Sequence, residues 1–134
     1  APAIPTELGR VIAENPDSIV SVSRRVCAEG DTSWKLWLFE FVDAFRRCPS
    51  EDLVASPPVP ETSDVIRCLL ASTVETLCQE CGMSPPWWCG GVGPLASPWF
   101  VAGVENLKAT ALVESPAQFR KRNIFVLGNF LTRA

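Results

Sequence analysis

The sequence predicts an all-α fold: a single domain spanning residues 1–134, built as an irregular bundle of five to six helices. Two long stretches carry apolar residues at helical spacing, and each is bracketed by cap and stop residues. Proline and glycine crowd into two further stretches, which read as the loops between helices. At 134 residues, with 47% apolar side chains, the chain is long enough to bury one core.

Along the chain, Thr6 to Glu14 carries Leu8, Val11 and Ile12 at helical spacing and stops at Asn15-Pro16. Gly9 weakens this first helix. Asn15 then caps a helix from Pro16 to about Glu29, with Ile19, Val22, Val26 and Cys27 on one face and Gly30 as its end. The alternating run Ser18 to Val22 also fits a strand, but Arg24 and Arg25 continue the helical pattern outward. Asp31, Thr32 and Ser33 are three successive cap candidates. After them Trp34, Trp37, Leu38, Phe41, Val42 and Phe45 recur at i, i+3, i+4, i+7, i+8 and i+11, the core-facing stripe of a central helix. Cys48-Pro49 ends it.

Residues 49–60 hold four prolines in twelve positions and form a surface loop. Thr62 or Ser63 caps the next helix, which runs to Cys81 through Val65, Ile66, Leu69, Leu70, Thr73, Val74, Leu77 and Cys78. Gly82 and Pro85-Pro86 stop it. Residues 83–96 are a Pro/Gly/Trp loop. Ser97-Pro98 places a cap residue and a first-turn proline before a helix expected to reach Val113, with Trp99, Phe100, Gly103, Val104, Leu107 and Ala111 on one face. Ser115-Pro116 repeats the pattern, and Gln118 completes an S-x-x-Q capping box. Gly128-Asn129 breaks the final segment.

Composition excludes much chemistry. There is no histidine and no tyrosine, so a histidine general base, a Ser-His-Asp or Cys-His nucleophile and a histidine-ligated metal are absent. The net charge of −3 is uneven: residues 115–134 carry +4 and no acid, which leaves −7 on the first 114. Cations in the last helix suit its dipole, and a basic end on an acidic body also suits an acidic partner. The pI near 4.9 argues against nucleic acid. No apolar run is long enough for a membrane span. The start APAIPTELGR lacks the basic and apolar regions of a signal peptide.

Six cysteines invite a metal reading, through Cys78-x-x-Cys81, Cys89 and Cys68. Cys68 and Cys78 stand ten residues apart on one predicted helix, about 15 Å along its axis, too far for one tetrahedral ion. The Cys-x-x-Cys lies at a helix end, where the dipole does not lower a thiol pKa. Cys81 and Cys89 would be the easiest disulfide pair in an oxidising compartment. The sequence reading is of small hydrophobes, Cys27, Cys78 and Cys81, in the core of a cytoplasmic protein, with no metal and no cofactor. The acids are scattered. Glu75 and Glu80 read as a polar helix face, and the string Gly90-Gly91-Val92-Gly93 lacks the lysine of a P-loop.

What remains for function is a surface. Trp87 and Trp88 lie adjacent in a loop, and Arg120, Lys121, Arg122 and Asn123 form the one basic cluster. These six are the candidate partner-binding residues, in a non-enzymatic protein that engages a protein partner or a second copy of itself. The alternative is a small-molecule module or enzyme that uses Trp34, Trp37 or Phe41 as a pocket wall.

The C-terminal residues also carry a likeness. Pro98-Trp99-Phe100, Gly103 to Ala109, Leu112, Glu114-Ser115-Pro116, Phe119 to Val126, and Phe130-Leu131 ahead of Arg133-Ala134 resemble a family of small uncharacterised bacterial proteins. Members end in a similar "SP…FR.RNIFV….L.RA" pattern. The resemblance covers about 40 residues. It implies an antitoxin-like role in a toxin–antitoxin-type gene pair, beside a nucleotidyltransferase-like partner, and it brings no catalytic residues.

Overall fold

The computed structural model describes residues 15–103 and 105–132. The helix expected at 6–14 and the side chain of Val104 lie outside them. Five α-helices are present among the described residues: α1 (Ile19–Glu29), α2 (Trp34–Arg47), α3 (Asp64–Glu80), α4 (Lys108–Glu114) and α5 (Ala117–Arg120). Two short strands, β1 (Trp99–Phe100) and β2 (Ile124–Phe125), form a parallel pair. The fold is therefore mostly helical, and no described helix is long and apolar enough to cross a membrane.

Local chemistry sets the helix limits. Asn15 does not cap α1. Its Oδ1 accepts from Asp17 N, which makes a turn, and the helix begins after Ser18, whose Oγ accepts from Ser21 N at 3.2 Å. Gly30 ends the helix at φ 100°, a conformation that disfavours any side chain. Asp31–Ser33 form a 3₁₀ turn that leads directly into α2. Ser63 caps α3, accepting from Ile66 N at 3.3 Å, and its own hydroxyl donates to Asp31 Oδ2 at 2.7 Å. Gly82 at φ 75°, with Met83 N donating to Cys78 O at 2.9 Å, closes α3 in a Schellman turn.

Helix α3 is the axis of the molecule. Eleven of its seventeen residues are buried, so it presents little polar face and is covered on nearly every side. Helix α2 packs on one flank, with Leu38, Phe41, Val42 and Phe45 buried, and α5 and the Trp87 turn pack on the others. The proline loop contributes Leu53 and Val54 to the same buried cluster. Cys68, Cys78 and Cys89 are buried, but Cys27 and Cys81 lie at the surface, so only one of the three cysteines expected in the core is there.

The C-terminal third departs most from expectation. Ser97-Pro98 opens a strand rather than a helix. Leu95 N, Trp99 N and Val101 N donate to the carbonyls of Arg122, Asn123 and Phe125 at 2.8–3.1 Å. This ladder pairs Trp99 with Ile124 and Phe100 with Phe125, and the rings of Phe100 and Phe125 stack 5.0 Å apart. Aromatic and β-branched residues on both segments favour such pairing over a helix. Gly103, at φ 68°, turns the chain before α4. The S-x-x-Q box is also replaced: Ser115 Oγ accepts from Val126 N at 2.8 Å and lies 2.6 Å from Ala111 O, to which it donates. Its oxygen is committed across the fold, and α5 is left as one turn without a side-chain cap.

Candidate interaction surfaces

The Trp loop is built on a 3₁₀ turn, Trp87–Gly91. Pro86 enters it in an extended conformation, and Cys89 N donates back to Pro86 O at 3.2 Å. Successive residues on such a turn point about 120° apart. One indole directed inward therefore sends its neighbour out. Trp88 is the inward ring, 5% exposed, with its Nε1 donating to Val54 O at 2.8 Å. Trp87 is the outward one, 79% exposed. Beside it lies a shallow cleft of about 180 Å³, walled by Val54, Met83 and Pro86 with Glu51 at its edge.

The basic cluster divides in the same way. Arg122 is the largest fully buried side chain, 2% exposed. Its guanidinium donates to Cys89 O at 2.8 Å, Val92 O at 3.1 Å, Gln118 O at 3.2 Å and Ser72 Oγ at 3.4 Å, and it pairs with Glu75 Oε1 at 2.5 Å. Lys121, half exposed, reaches the same carboxylate at 3.0 Å. Burial pushes the Glu75 carboxyl up, but the hydrogen bonds and charges of Arg122 and Lys121 outweigh it and hold the carboxyl below its ordinary value. Asn123, at φ 67°, donates from Nδ2 to Leu95 O at 3.0 Å. Arg120 is exposed.

Of the six residues expected at a partner surface, Trp87, Arg120 and Lys121 face outward. Trp88 and Arg122 are interior, and Asn123 is half-buried against Leu95. This corrects the expectation for Trp88 and Arg122. The first fills the core under the loop, and the second neutralises a buried acid while satisfying three loop and helix carbonyls. Glu75 likewise belongs to the interior and not to a polar face. The signal in the sequence is slight: Glu75 is the one charged residue between Leu69 and Leu77, and a carboxylate buried there needs a cation.

The three buried thiols are held in the protonated form, which neither attacks as a nucleophile nor ligates a metal. Burial pushes Cys89 up to about 12 and Cys78 to about 11, and it also raises Cys68. All six cysteines are unpaired. Among the described residues, no three cysteines or acids converge on a point that could hold a metal ion.

The aromatic stripe of α2 splits between core and surface. Phe41 is buried, whereas Trp34 and Trp37 are half-buried. Arg25 lies over the Trp37 ring at 5.0 Å. Trp34 meets Trp99 edge to face, with centroids 5.6 Å apart. The two indoles wall an open groove of about 590 Å³, closed on its other sides by residues 95–98 and the starts of α2 and α3. The sequence pattern favours both rings as parts of helix-core stripes, with Trp34 as a pocket wall only in the alternative reading, and the groove is open rather than an enclosed cavity. The acids Asp31 and Asp64, each at a helix start, line it as well. No family model matches the chain, and no curated protein or solved structure matches it.

Proposed function

We propose that the chain is a non-enzymatic interaction protein that engages one protein partner through Trp87. The carrying observation is the 79% exposure of this indole on a turn whose next two residues are buried. Trp88 anchors the turn to Val54, and Arg122 anchors it to α3 through the Cys89 carbonyl. The ring is thus presented by fixed backbone, and little conformational entropy is lost when a partner covers it. Tryptophans of this kind dominate the binding energy of interfaces. Arg120 and Lys121, exposed next to Arg122 in the chain, would add charge steering toward an acidic partner.

The finer reading, an antitoxin-like protein of the bacterial cytoplasm paired with the product of an adjacent gene, rests on the C-terminal resemblance. The test is co-purification of the tagged chain with that product. The expected result is a stable complex that Trp87→Ala weakens by about 30-fold or more, which corresponds to the loss of one interface hot spot. A complex indifferent to Trp87→Ala overturns the assignment of the surface. A monomer that retains neither that product nor a second copy of itself overturns the reading as a whole.

A further inference from the structure

We propose that the groove between Trp34 and Trp99 receives a lysine or arginine side chain carried on an extended peptide segment of a partner. This site shares no lining residue with the cleft beside Trp87. Its walls are two indoles set at 80° to each other, the side chain of Leu95, and Pro98. The charged side chains lining it are Asp31 and Asp64, both carboxylates. Ser63 holds them together, capping α3 beside Asp64 while donating to Asp31 Oδ2 at 2.7 Å.

Helix starts ordinarily favour anions, and two of them meet here. Each contributes about half a positive charge, so the two carboxylates outweigh both and leave the site about one charge negative. Indole faces attract cations most strongly among aromatic rings. An aliphatic stem ending in a cation matches both features: methylenes against the rings, charge toward the carboxylates.

The groove's shape selects a chain over a free amine. A small-molecule site encloses most of its ligand, whereas this groove is open. At Asp64, Leu95 and Ala96 it continues into a second trough of about 380 Å³ along Arg67, Gly91 and Gly93, where the Arg67 guanidinium donates to the carbonyls of Pro60 and Thr62. A Cβ at either glycine would meet nothing within 4 Å, and neither glycine has a positive φ. The fold alone therefore does not require glycine at these positions. Bare backbone along a trough does allow another backbone to approach closely.

The experiment titrates the full chain with capped pentapeptides that differ only in a central lysine or norleucine. The readout is the indole N–H resonances of Trp34 and Trp99. The lysine peptide is expected to shift both and saturate, about tenfold more tightly than the norleucine peptide. Added salt should narrow the gap, and Asp31→Asn with Asp64→Asn should erase it. Thr32→Lys, which places a tethered cation at the groove, should block the lysine peptide even if the double asparagine variant fails to fold. Equal binding of the norleucine peptide overturns the proposal, as does the absence of any saturable shift. Cadaverine binding as tightly as the lysine peptide overturns the choice of a peptide-borne cation. A shift with inorganic phosphate in place of the amine would show an anion site at the two helix starts.

Discussion

Residues 19–80 and residues 84–132 are held by different means. In the first region α1 and α3 start and stop on their own neighbours, with Ser18 and Ser63 as caps and Gly30 and Gly82 as ends, and α2 follows directly from the 3₁₀ turn at Asp31–Ser33. Apolar stripes then bring the helices together. In the second region the backbone is fixed by groups far away in sequence. Arg122 holds the loop carbonyls of Cys89 and Val92, Ser115 holds Val126 N, and residues 95–101 hydrogen-bond to residues 122–125. The difference teaches that one region carries its own local instructions, while the other takes its shape from tertiary contacts. The proposed partner surface lies in the second.

The sharpest way to break the contrast is at the Glu75–Arg122 pair. Replacing Arg122 with Met leaves the buried Glu75 carboxylate with the half-exposed Lys121 as its one cation and leaves the loop carbonyls without their donor. It should cost about 3–5 kcal/mol, read as a lower midpoint in urea. The account expects the loss of amide-exchange protection to concentrate in residues 87–95 and 119–126, with α1 and α2 affected less. Uniform loss across the molecule would contradict the division.

The two tryptophans sharpen the comparison within one turn. Trp88→Ala opens a core cavity and should cost about 3–5 kcal/mol. Trp88→Phe, which loses chiefly the hydrogen bond to Val54 O, should cost about 1–2 kcal/mol. Trp87→Ala should stay within about 0.5 kcal/mol of the unsubstituted chain. Thermal unfolding of the three variants checks the order.

Acid should act on the same pin. The Glu75 carboxyl is held below its ordinary value near 4.5, so its contribution is fully present above that value. It is lost as pH falls through the lowered folded value. Arg122→Met should flatten this part of the stability profile. A pH dependence that the substitution leaves unchanged would assign the acid sensitivity to other carboxylates. A modest effect is expected at Ser115. Ser115→Ala leaves Val126 N without its acceptor inside the fold and should cost about 1–2 kcal/mol, with earlier fraying of β2 by amide exchange.

How much of this was legible in sequence follows the same division. The limits of α2 and α3 were readable to within a residue or two, because periodicity and caps are local signals. The Ser97-Pro98 start misled, since the same two residues suit a strand once Trp99 and Phe100 find Ile124 and Phe125 opposite them. Ser115 looked like a helix cap because its oxygen can serve either α5 or Val126 N, and only the fold decides. At the candidate surface, Trp87 could not be told from Trp88 by composition. The direction of each ring depends on which side of the 3₁₀ turn meets Val54. Arg122 read as a surface cation because its partner, Glu75, lies 47 residues away.

The most direct test separates binding from stability at Trp87. Wild-type chain and Trp87→Ala are compared for thermal midpoint and for affinity toward the co-purified partner. The account predicts an unchanged midpoint and an affinity reduced by about 30-fold or more. An unchanged affinity, or a midpoint that falls as far as in Trp88→Ala, would contradict it.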